Sequence, residues 1–257
     1  MSRRSAAAAD PSLAAAVADL EARSKHPSLT PEQRAFAVES LAFIDHKSAA
    51  EAMLNLASGG PAKGDAANWL LRNGSGEWKK YDIAGELKKR GIYDPSKIVV
   101  TAVTAPQADP PKFSVEDVLK LKGDPAKGKI TAMRCIMCHE FNGTGVNYGP
   151  NLKGWGEGQT LDVIARSIVE PSADISQGYS GSGVALKKGG QVHGIAINNG
   201  DPLIMTSTGG LTQMIPLDRL ENKKPYKLKH SLMLSADQMA LTPQDVADLV
   251  AFLKTYK

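Results

Sequence analysis

Aromatic residues are scarce in this 257-residue chain: Phe, Trp and Tyr together make up 5% of it. So few rings leave room for a large prosthetic group to supply part of the core. Cysteine is scarcer still. Cys135 and Cys138 are the two there are, so a disulfide framework of the kind common in oxidised secreted domains has little to build from. No run approaches the ~20 apolar residues of a membrane span. Met1 to Asp10 carries Arg3 and Arg4 and then four alanines, without the apolar core of roughly 7–15 residues that marks a secretory signal. Long arms of like charge are missing too. Lys and Arg number 31 against 27 Asp and Glu, a net charge of +4, and they are spread along the chain, so nucleic-acid binding has no specific support. The 42% hydrophobic and 23% charged residues are ordinary for a soluble globular protein, and the length suits one large domain or two small ones.

Three compositional zones follow one another. The first, residues 1–105, reads as helical. Asp10-Pro11 and Thr30-Pro31 each combine an N-cap with a proline at the first helical position. The second of these helices is expected to turn Phe36, Val38, Leu41 and Ile44 inward. A third begins near Ser48 with Met53, Leu54 and Leu56 and is broken by Gly59-Gly60-Pro61. A fourth carries Ala66, Trp69 and Leu70, and a fifth runs from about Ile83 to Arg90 and stops at Gly91. Short helix pairs of this period suggest HEAT-like α-solenoid repeats, with an irregular helical bundle as the alternative. The second zone, Thr101 to Pro111, holds Pro106, Pro110 and Pro111 and reads as a boundary, with the linker at 106–112.

The third zone, 113–257, starts and ends helical and changes period in between. Ser114 with Asp117 caps a short helix, Asp124-Pro125 opens the helix leading to Cys135, and Thr160 starts another with Leu161, Ile164 and Ile168 on one face. Period-two stretches follow at Val184 to Leu186, Val192 to Ile197, Leu203 to Thr206 and Gln213 to Leu217. Gly189-Gly190 and Asn199-Gly200 mark the turns between them. Thr242-Pro243 then opens a last helix bearing Val246, Leu249, Val250 and Leu253. The expected fold is therefore mainly α with a small β insertion, an antiparallel unit over about Gln177 to Leu220.

Cys135-Ile136-Met137-Cys138-His139 carries the chemistry. Thiols at i and i+3 share one face of a helix, and an imidazole directly after the second falls where an iron between them could be reached. This is the spacing of covalent c-type haem attachment. Chance placement of two cysteines and a histidine in that order has a probability of roughly 2 in 10,000. A thioredoxin-like redox pair would want a βαβ context, which is missing. A zinc site would want two further ligands close by, and His26, His46, His193 and His230 are scattered along the chain.

With a haem so attached, the third zone resembles a small cytochrome c, in which the distal ligand comes from the loop before the final helix. Met233 and Met239 fall there, with His230 close by. Met233 is the expected ligand, with Met239 and His230 as rivals. Met205 and Met214 lie on expected strands and read as core, and Met133 and Met137 flank the attachment motif. The resemblance extends to the haem-binding domain at the C-terminal end of large exported proteins of planctomycetes and verrucomicrobia. It rests on Gly149-Pro150-Asn151-Leu152, Gly154-Trp155-Gly156, Pro171-Ser172-Ala173-Asp174-Ile175, the Gly189 to Gly194 turn, Ser231-Leu232-Met233, and Leu241-Thr242 with Asp248-Leu249. Leu234 stands where that family has proline.

The resemblance implies a single haem c held by Cys135, Cys138 and His139. His139 and Met233 would be the iron ligands, the Pro150 carbonyl would hold the His139 ring, and Trp155 would pack on the haem edge or serve as a core aromatic. Arg166 is read as a solvated residue rather than a propionate partner. Lys223, Lys224, Lys227 and Lys229 are read first as a solvated loop and alternatively as a basic docking collar. The implied function is electron transfer, not catalysis, with a redox partner protein or dehydrogenase domain as donor. The implied location is the periplasm or otherwise outside the cytoplasm, with the chain a piece of a longer exported protein. The alternatives are a haem enzyme or sensor with an open distal face, peroxidase-like, and an interaction module recruited through the helical zone.

Overall fold

The computed structural model describes residues 11–105 and 110–257. The N-cap expected at Asp10 and part of the expected linker, 106–109, lie outside these. Contacts divide the chain into two compact units. One reaches to Val99 and takes in Gly200–Leu203, and the other comprises Val100–Asn199 and Ile204–Lys257. Nine α-helices and two antiparallel sheets are present among the described residues, which makes the chain mainly helical with a smaller β part. No helix there is long and apolar enough to cross a membrane.

The first unit is built from α1 (Pro11–Lys25), α2 (Pro31–Ala42), α3 (Lys47–Ser58), α4 (Lys63–Asn73) and α5 (Ile83–Lys89). Thr30 and Gln33 form a reciprocal capping box at the start of α2, satisfying two otherwise orphaned N–H groups. The His46 ring accepts from the Ser48 N–H at the start of α3. Helix α3 carries the core, with Met53, Leu54 and Leu56 buried, and it packs on α1, α2, α4 and α5. Trp78 is buried and meets Trp69 edge-on at 4.6 Å between ring centroids. One expected core residue is misplaced. Val38 and Leu41 are buried, but Phe36 is 71% exposed. At about 100° per residue, Phe36 lies about 200° round the helix from Val38, so the two cannot share a face.

The second unit holds α6 (Val115–Leu119), α7 (Pro125–Thr131), α8 (Leu161–Val169) and α9 (Pro243–Thr255). Ser114–Asp117 and Thr242–Asp245 are both complete capping boxes, and Asp124 accepts from Ala126 and Lys127 at the start of α7. Helix α9 packs against α6, α7 and α8. Glycine permits the closest of these approaches: a Cβ on Gly128 would overlap the Asp248 carbonyl, and one on Gly156 the Leu253 carbonyl. Leu161, expected on the inner face of α8, is exposed at its first turn, whereas Ile164 and Ile168 are buried.

A two-stranded hairpin, β1 (Glu140–Phe141) with β2 (Thr144–Gly145), follows His139 directly. It turns on Asn142 and Gly143, both in the left-handed region. The larger sheet comprises β3 (Ser182–Ala185), β4 (Gln191–Ala196), β5 (Leu203–Ser207), β6 (Leu211–Ile215) and β7 (Tyr226–Lys227), in the order β6-β5-β4-β3-β7. Strand β7, beyond the expected limit of the insertion, pairs with β3 at the sheet edge. The stretch read as a boundary is partly bound to this sheet. Val103 bridges to Val192, and Thr101 exchanges two hydrogen bonds with the Gln213 side chain.

Candidate functional site

The Cys135–His139 stretch is not on a helix. Helix α7 ends at Thr131, a tight turn covers Ala132–Arg134, and Cys135 is its C-cap. From there one helical turn remains, in which the Cys138 and His139 N–H groups both bond to the Cys135 carbonyl, at 3.1 and 2.9 Å. The following loop is tied back onto this turn. Val146 N–H reaches the Ile136 carbonyl, and Tyr148 and Gly149 N–H both reach that of Cys138. The i, i+3 geometry expected of the cysteines is thus supplied by a single turn whose outgoing chain is held by backbone hydrogen bonds. Both thiols are free. Burial, with the neighbouring Cys138 second, pushes the Cys135 thiol up to about 11, and burial also raises that of Cys138. Both therefore stay protonated at neutral pH and are poor nucleophiles and poor thiolate ligands. Among the described residues no third His, Cys, Asp or Glu joins them in a metal-binding group.

His139 is buried, 6% exposed. Its Nδ1 lies 2.9 Å from the Pro150 carbonyl oxygen. A carbonyl only accepts, so the proton sits on Nδ1 and the lone pair of the neutral ring is on Nε2. Burial lowers the ring's pKa, and the Pro150 bond opposes this less strongly. The neutral, metal-ready form is therefore the one the fold favours. Gly149 leaves space for the ring: a Cβ there would come within 2.5 Å of His139 Cε1.

His139 and Cys138 line a cleft that is open at its mouth, and so does Met233. The walls are chiefly apolar. Leu152 and Trp155 come from the loop after Pro150, Ile164 and Ile168 from α8, Leu253 from α9, and Leu232 from the loop that carries Met233. Ile195 on β4 completes them, so the sheet forms part of the same site. Asp174, Ser176 and Tyr179, between α8 and β3, bring the polar groups together with Ser167. Cys135 is not among the lining residues; it packs against the helical core beside them.

The loop bearing Met233 is held at several points. Met233 N–H donates to Ser231 Oγ and Ser231 N–H to Ser172 Oγ, each at 3.0 Å, and Ala236 N–H donates to the Ile168 carbonyl. Of the three distal-ligand candidates, Met233 lines the cleft, Met239 packs into the helical core and His230 faces His193. Met205 is buried in the sheet, whereas Met133 and Met137 are exposed on the flanks of the motif. Trp155 both lines the cleft and packs on the helical core. Arg166 and the four lysines 223, 224, 227 and 229 are exposed.

Several lining residues carry no sequence signal. Tyr148, whose buried hydroxyl is pushed up to about 12 by desolvation, lies nine residues after His139 in no motif. Ile195 reads as one residue of a strand, and its side of the sheet is defined only once the strand is placed. Tyr179 precedes β3 in an irregular stretch. No protein-family model and no curated protein matches the chain.

Proposed function

We propose that the second unit is a mono-haem c-type cytochrome domain that transfers electrons, with haem attached through Cys135 and Cys138 and ligated by His139 and Met233. One observation carries the reading: the imidazole directly after the Cys-x-x-Cys pair and the methionine of the loop before α9 open onto one apolar cleft. The donor set fits haem chemically. It offers an imidazole with its lone pair at Nε2, a thioether sulfur and two protonated thiols, without the extra thiolates or carboxylates that a bare metal would need.

Bound haem would supply reversible one-electron exchange between ferrous and ferric iron. The residues set the terms of that exchange. The Pro150 carbonyl fixes the tautomer and orientation of His139 and raises its basicity. Met233, as a soft neutral donor, favours the ferrous state and a higher potential. Leu152, Trp155, Ile164, Ile168 and Ile195 keep water from the cleft. With His139 and Met233 both serving as iron ligands, no open position would remain for substrate, and the domain would be a carrier rather than a catalyst.

On this reading the first unit is a HEAT-like helical segment. The chain belongs outside the cytoplasm, and the domain accepts electrons from a dehydrogenase and passes them to a further redox protein. These extensions rest on the family resemblance of the motifs.

The test is the full chain made in a host competent for haem attachment. Pigment that stays with the protein in acidified acetone, together with a weak far-red absorbance band in the ferric state, is the expected result. Pigment that washes out, or none at all, would sink the proposal.

A further inference from the structure

Two histidines that the haem site does not use meet beneath the loop that carries Met233. His193, on β4, is 9% exposed. Its Nδ1 accepts the Ala105 N–H at 3.1 Å, so in the neutral ring the proton is on Nε2, where Gln191 Oε1 lies at 3.0 Å and the Tyr226 hydroxyl at 3.2 Å. The His230 ring stands 6.5 Å from it, centroid to centroid. His230 Nε2 is buried and makes no hydrogen bond among the described residues. Burial, then the His230 ring, hold the pKa of His193 below its ordinary 6.5.

These two rings join the sheet to the ligand loop. Strand β7 ends at Lys227, Leu228 N–H still bonds to the Gly181 carbonyl, and Met233 follows His230 by three residues. A second proton on His193 would sit on Nδ1 and point at the Ala105 N–H, replacing a hydrogen bond with two opposed donors. The same proton would place a positive charge in partly desolvated surroundings, against the His230 ring. The other groups facing the pair do not relieve this. Tyr226 and Gln191 meet the His193 ring through a hydroxyl and an amide, Gly183 of β3 and Ser207 of β5 carry no charge, and Lys227 and Lys229, next along the chain, are exposed cations.

We infer that His193 and His230 are positioning residues for Met233: the His193 imidazole, packed against the His230 ring, holds the ligand loop on the sheet and lets it go when His193 is protonated. The inference rests on the proposed ligation and deepens it: the sixth ligand becomes sensitive to acid. The sign follows from His193. Its folded value is depressed, so the stability it contributes is full above pH 6.5 and is lost as the pH falls toward the lower folded value.

The experiment titrates the far-red methionine band of the ferric, haem-loaded full chain from about pH 8 to about pH 5, with far-UV circular dichroism as a control on the fold. His193→Phe, His230→Phe and the polar, uncharged His230→Asn are compared with the wild type. The wild type is expected to lose the band reversibly with a midpoint below pH 6.5, the haem staying attached and the helices intact. The His230 variants are expected to move that midpoint down by at least half a unit or to abolish the transition. A wild-type band that is present near pH 8 and either persists unchanged to pH 5 or is lost at the same midpoint in every variant overturns the inference alone. Attached pigment without a band near pH 8 overturns the Met233 assignment, and with it this role for the histidines.

Discussion

At the scale of single residues, the site turns on what sits on either side of the cleft. His139 is fixed by a missing atom and a carbonyl: Gly149 lacks the Cβ that would strike the ring, and Pro150 accepts the Nδ1 proton. Gly149→Ala is therefore expected to tilt the ring, weaken the Pro150 bond and destabilise the loaded protein by about 1–3 kcal/mol, read as a lowered thermal midpoint. An unchanged midpoint would mean that the ring has slack the structure does not show. Met233 lines the same cleft, where Met239 and His230 do not. If haem is held as proposed, Met233→Ala should abolish the far-red band and open the iron to carbon monoxide, while Met239→Ala leaves both as in the wild type. A band that survives Met233→Ala would reassign the ligand. Rapid carbon monoxide binding by the native protein would instead favour an open distal site.

At the scale of elements, local chemistry decided what was legible. The capping boxes at Thr30, Ser114 and Thr242 are written in adjacent side chains, and all three form. Thr242→Ala should remove one such cap and cost about 1 kcal/mol, measurable by denaturant unfolding; a loss near zero would mean that the fold alone holds the start of α9. The strands between Val184 and Leu217 were marked by alternation and by the Gly189-Gly190 turn, where both glycines adopt positive φ. Elements of two residues, β1, β2 and β7, are too short to show a period. Phe36 reads as inward by hydrophobicity where its angular position says otherwise, and the Cys135–His139 stretch occupies a turn rather than the helix that its spacing suggests. The close approach of α7 and α9 was equally invisible, because Gly128 reads as a weak helical residue until the Asp248 carbonyl is found against it. Gly128→Val should force the two helices apart at a cost of about 1–3 kcal/mol, with a matching fall in the denaturant midpoint; an unchanged midpoint would show that the contact yields freely.

At the scale of the whole molecule, charge is what the proposed redox partner would meet first. The chain carries +4 overall, yet four exposed lysines fall within the seven residues from Lys223 to Lys229, on the segment that leads into the ligand loop. If that segment steers an acidic partner, the attraction acts across solvent and salt must weaken it. The screening length shrinks from about 30 Å at 0.01 M to about 8 Å at 0.15 M ionic strength, so second-order electron exchange with a small acidic redox protein should slow by about tenfold or more over that range. Replacing Lys227 and Lys229 with Glu should flatten the dependence while leaving the far-red band in place, because both side chains point into solvent rather than the cleft. A rate equally sensitive to salt in the variant and the wild type would move the docking face elsewhere. An insensitive rate in both would leave the lysines as a solvated loop, their charge serving solubility alone.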